Sequence, residues 1–75
     1  MNFTDFFLKY VDQKLFNKIV ESNKITFATM SAYKQKYRGS IPRAYNLVVI
    51  CKYIAQEYNM NENDLILEAM EVIRG

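Results

Sequence analysis

Glycine occurs only at positions 39 and 75 of this 75-residue chain, and proline only at 42. So little turn-forming material points to helices joined by short connections. A chain this short buries only about 60% of its unfolded surface, near the lower limit for folding alone. With 51% hydrophobic residues, eleven of the 75 aromatic, it has enough apolar surface for one domain over 1–75, and a dimer interface could absorb part of it.

The apolar spacing predicts five helices. Thr4 is expected to cap a first helix over about 4–11, with Phe3, Phe7, Tyr10 and Val11 on one side. Asp12 is placed to cap a second over about 13–22, carrying Leu15, Phe16, Ile19 and Val20. Asn23 tolerates the left-handed conformation in which helices often end. Thr26 then caps a third helix from Phe27 to about Tyr37, stopped by Gly39, with Phe27, Met30, Tyr33 and Tyr37 on its inner side. A fourth opens at Ser40-Ile41-Pro42 and closes at Asn59, with a core stripe of Leu47, Ile50, Cys51, Ile54 and Tyr58. The last runs from the cap-like Asn61-Glu-Asn-Asp64 to about Ile73.

Charge is distributed unevenly along this pattern. Residues 24–52 carry Lys24, Lys34, Lys36, Arg38, Arg43 and Lys52 and no acid, whereas the 23 residues that follow carry Arg74 against five acids. The three parts of the chain thus hold 0, +6 and −4 within a total of +2. A purely positive window reading as helix, turn, helix is the usual footprint of a phosphate-binding surface. The plainer reading is a solvated face answered by the acidic tail.

A helix-turn-helix lays its first helix across the phosphate backbone and its second in the major groove. The outer face of the third helix is small and polar. Thr29, Ser31 and Gln35 offer donors and acceptors to base edges, and Ala28 and Ala32 leave room for approach. Lys24, Lys34, Lys36, Arg38 and Arg43 are the candidate phosphate contacts. Arg43, near the start of the fourth helix, opposes the helix dipole at a cost of about 0.3–1 kcal/mol, which makes sense if an anion arrives.

The fifth helix is apolar over more than one stripe. Leu65, Ala69 and Val72 can face the core, leaving Ile66, Met70 and Ile73 as the candidate surface of a homodimer. Five tyrosines, at 33, 37, 45, 53 and 58, share the cationic half. They could stack on single-stranded bases, but most stand at core spacing. Cys51 lies in an apolar run and reads as a buried small hydrophobe. With no histidine and a single cysteine, the chain cannot form an intrachain disulfide, a zinc finger or a His-dependent catalytic site. No glycine-rich phosphate loop is present, so enzyme activity, a metal and a cofactor are all unexpected. Neither a leader nor an 18-residue apolar run is seen, which leads us to expect a cytoplasmic protein outside the membrane.

Gly39-Ser40-Ile41-Pro42, then Leu47, Ile50, Ile54, Met60 and Asp64-Leu65, with Ile25, Met30 and Tyr33 before them, resemble the repressor and Cro family of phage-type helix-turn-helix proteins. The likeness spans roughly residues 12–67. It implies a compact five-helix domain that binds operator DNA as a dimer, base-reading positions at Ala28, Thr29 and Ser31 or Ala32, and phosphate contacts at Lys24, Arg38 and Arg43. Val20, Asn23 and Lys24 depart from the family pattern, where a small, an apolar and a glycine residue are usual. The start of the chain (Phe3, Phe7, Leu8) is also similar to the repressor-like N-terminal domain of a phage anti-CRISPR family. The sequence therefore leads us to expect an all-α domain with a helix-turn-helix in helices two and three, binding double-stranded DNA as a dimeric phage or mobile-element regulator. The alternative is an interaction module that sets the basic face on an acidic protein.

Overall fold

In the computed structural model, residues 2–35 and 41–75 are described. They form an all-α fold: among the described residues there are five helices and no strand. The helices are α1 (Phe3–Tyr10), α2 (Gln13–Glu21), α3 (Phe27–Tyr33), α4 (Ala44–Tyr58) and α5 (Glu62–Arg74). The expected Tyr37 face, the Gly39 stop and the Ser40 cap lie outside the described residues.

Local chemistry sets the helix ends. Asn2, not Thr4, caps α1: its side chain accepts from the Asp5 backbone at 3.1 Å, and the Asp5 carboxylate accepts from the Asn2 backbone at 3.0 Å. Thr4 is displaced into the interior, where its hydroxyl donates to the Tyr33 carbonyl at 2.8 Å, across 29 residues of sequence. Asp12 accepts from the Leu15 N–H at 2.8 Å, and the extended Val11 before it makes α1 and α2 separate helices. Between α2 and α3, Asn23 takes the left-handed conformation with φ 63°. The third helix ends four residues before the expected Tyr37, because the Lys34 and Gln35 backbones turn tightly onto the Ser31 and Ala32 carbonyls at 3.1 Å each.

The fourth helix starts later than the sequence implied. Pro42 precedes it, and Arg43 is its extended N-cap with ψ 157°. A guanidinium has no acceptor, so Arg43 cannot cap with its side chain, and none of its atoms does. Asn59, left-handed at φ 54°, ends the helix as expected.

The core gathers around α1. Phe3, Phe6 and Phe7 are buried from its eight residues, with Leu15, Phe16 and Ile19 from α2, Met30 and Tyr33 from α3, Ile50, Cys51 and Ile54 from α4, and Leu65 and Ala69 from α5. The Tyr33 ring meets Phe3 edge-on at 5.4 Å and Phe7 at 5.8 Å. Truncating any of these phenylalanines to alanine would cost about 3–5 kcal/mol, a large share of what a domain this small can hold. Two residues expected inside are not. Phe27 is 63% exposed with its ring edge-on to Phe16, and Tyr58 lies at the surface, donating to the Tyr10 carbonyl at 2.7 Å. No described helix is long and apolar enough to cross a membrane.

Candidate functional site

The outward side of α3 and the residues around the start of α4 border an open cleft of about 720 Å³. Ala28, Thr29, Ala32 and Tyr33 form its α3 wall, and Ile41, Arg43, Tyr45 and Asn46 the other. Positions 28, 29, 32 and 33 lie on one helical face by their spacing, which is why a seven-residue helix presents all four together. Three of the residues expected to read bases thus share a cleft with Arg43, a candidate phosphate contact.

No carboxylate lines this cleft, and residues 36–40 contain none. Two acids of the tail are engaged elsewhere. Among the described residues the ion pairs are Lys9–Glu68 at 3.4 Å and Lys18–Glu57 at 4.0 Å, both to lysines of the first third of the chain. Arg43 is exposed and makes no ion pair or side-chain hydrogen bond with a described residue.

The remaining sequence candidates separate. Lys24 is exposed in the α2–α3 turn, its backbone N–H donating to the Ser22 hydroxyl at 3.3 Å. Lys34 turns away from the cleft, its ammonium 4.2 Å above the Phe16 ring and donating to Gln13 at 3.3 Å. Ser31 and Gln35 are half-buried and do not line the cleft. Lys36 and Arg38 lie outside the described residues. On α5, Met70 is exposed, whereas Ile66 and Ile73 are half-buried against the core. The most exposed apolar residue of that helix is Leu67, at 60%. Among the described residues, no group of three or more His, Cys, Asp and Glu could hold a metal ion.

The sequence alone does not single out Ile41, Asn46 or the hydroxyl of Tyr33, and it offers Tyr45 only as a ring that could stack on bases. Ile41 and Tyr45 are 67% and 62% exposed. The side-chain amide of Asn46 donates to the Tyr33 hydroxyl at 3.0 Å, fixing both groups at the cleft. The available signal was position: Asn46 follows Arg43 by three residues, one helical turn along the same face. Thr29 is fixed in the same manner. Its oxygen accepts from the Thr26 hydroxyl at 3.0 Å, and its N–H donates to that hydroxyl at 3.2 Å.

Comparison of the chain with protein-family models, with curated proteins and with solved structures finds no match.

Proposed function

We propose that this chain binds double-stranded DNA, with α2 and α3 acting as a helix-turn-helix, as a small phage or mobile-element regulator. The observation that carries the reading is the acid-free cleft between α3 and α4, with Arg43 beside it. In this arrangement one sugar–phosphate strand follows the cleft, and the side of α3 bearing Ala28 and Ser31, with Gln35 just beyond its end, faces base edges. Lys24, at the opposite end of α3, meets the other flank of the groove, and Lys36 and Arg38 add charge from the segment after α3. Met70 and Leu67, exposed beside half-buried Ile66 and Ile73, support a homodimer through α5. The molecule measures 30 × 27 × 20 Å, so two copies side by side suit half-sites about 34 Å apart.

A gel-shift titration against random duplex tests this. Binding should be clear at about 50 mM salt and fall steeply by about 200 mM. Failure to bind at the lower salt would remove the reading. Ser31→Ala and Gln35→Ala should change sequence preference more than affinity. Light scattering should give a mass that rises with concentration above the 8.9 kDa of one chain, and a constant 8.9 kDa would remove the dimer.

A second reading is favoured by the exposed Ile41 and Tyr45, which give the cleft apolar walls suited to a protein side chain, with Arg43 beside them to meet an acidic partner. Such a module would bind random duplex weakly and without the steep salt dependence.

A further inference from the structure

Hydrogen bonds at the cleft leave a surplus of donors. The Tyr33 hydroxyl has accepted the Asn46 amide hydrogen and still has its own to give. The Thr29 oxygen has accepted from Thr26 and likewise retains its hydrogen. An amide nitrogen carries two hydrogens, so Asn46 keeps one alongside its Oδ1, and the guanidinium of Arg43 only donates. Four lining residues from two helix-bearing segments therefore offer hydrogens to a space that holds no carboxylate. The tyrosine is 4% exposed, so its hydroxyl is held in place by the core and cannot swing away to water.

We infer that the cleft is a phosphate cradle, in which Tyr33, Asn46 and Thr29 donate to the oxygens of one phosphodiester while Arg43 supplies the charge. A phosphodiester monoanion presents acceptors and no hydrogen, and so complements such a lining; hydrogen bonds to ionised groups are also the stronger kind. The inference rests on the DNA-binding reading for its ligand and deepens it. Thr29 moves from the residues that read bases to those that hold the backbone. Tyr33 and Asn46, neutral residues that charge patterning does not reveal, become binding residues.

The test uses the full chain labelled with nitrogen-15, titrated first with inorganic phosphate and then with a random-sequence duplex. Phosphate should move the Asn46 side-chain amide and Thr29 backbone resonances saturably. Tyr33→Phe keeps the ring in the core, and Asn46→Leu keeps the branch at Cγ while removing the polar atoms. Each should lose about tenfold in duplex affinity, the loss of one hydrogen bond to a charged group. The slope of log affinity against log salt should stay unchanged, since no charge is removed. Arg43→Gln should instead lower that slope by about one unit. Unmoved Asn46 and Thr29 resonances, or wild-type duplex affinity in both neutral variants, would overturn the cradle even if DNA binds. Saturable phosphate shifts that vanish in Tyr33→Phe, with no duplex binding, would uphold the cradle and remove the DNA reading.

Discussion

At the seam of α1 and α5, the Tyr10 hydroxyl donates to both oxygens of Glu68 at 2.9 and 3.1 Å, and Lys9 donates to the same carboxylate at 3.4 Å. At the α3–α4 cleft, the Tyr33 hydroxyl receives a hydrogen bond and has no acid to give one to. Both places combine a tyrosine with a nearby cation. The seam satisfies its donors from within the chain, so its chemistry is spent on holding helices together. The cleft does not, so its chemistry is open to something from outside. The difference teaches that net charge alone is a poor guide to a site. What matters is whether the acids of the same chain reach its donors, and here they reach Lys9 and Lys18 instead of Arg43.

The contrast can be broken most severely by giving the cleft the acid it lacks. Ala32→Glu places a carboxylate on the α3 wall, and duplex affinity should fall about a hundredfold, as like charges brought together cost several kcal/mol. The same variant should melt within a few degrees of the parent by circular dichroism. Unchanged duplex affinity would mean that the ligand does not enter the cleft.

The acidic side should show itself at alkaline pH. Cys51 is fully buried, and that burial, with Glu62 and Glu68 adding repulsion, pushes its thiol up to about 12 from an ordinary 9.0. The unfolded thiol therefore releases its proton first. The neutral form stabilises the fold below pH 9.0, and this is lost as pH rises toward about 12, at no more than about 1.4 kcal/mol per pH unit. Lys9, raised by Tyr10 and then by Glu68, shifts stability in the same direction above 10.5. Urea midpoints at pH 8 and about pH 10.5 should differ less in Cys51→Ala than in the parent. Parallel losses in the two proteins would assign the alkaline weakness to other groups.

Glu68→Ala should sharpen the comparison from the seam side. Loss of the Tyr10 and Lys9 acceptor should cost about 1–2 kcal/mol, a fall in melting temperature of about 4–16 °C for a domain this size, with duplex affinity unchanged. Arg43→Gln is the smaller, opposite case. Affinity should fall about fivefold, while stability stays level or rises by about 0.3–1 kcal/mol as a cation leaves a helix N-terminus. If both variants moved both quantities together, seam and cleft would not be separable.

Much of the fold was legible because helices announce themselves at short range. Leu15, Phe16 and Ile19 gave α2 its buried side, and Asp12, Thr26 and Asn61 cap helices as their types imply. Boundaries failed where a distant partner outbid the local one. Thr4 has the right side chain for a cap, but the Tyr33 carbonyl, 29 residues away, claims its hydroxyl and leaves the cap to Asn2. At the site, the three α3 residues and Arg43 could be named from type and spacing. The roles of Tyr33 and Asn46 could not, because they arise only when α3 and α4 meet. Phe27 shows the reverse error: its spacing is right for the interior, yet the first turn of a short helix carries it past the edge of the core.

Tyr33 is bonded at both ends, its carbonyl to Thr4 and its hydroxyl to Asn46. The opening residues of the chain are thereby wired to the floor of the cleft, although nearly thirty positions intervene. Trimming the first helix, or tagging so close to it that Asn2 and Thr4 lose their partners, should blunt recognition at a surface those residues never touch. Conversely, an occupant seated in the cleft should quiet amide exchange in α1.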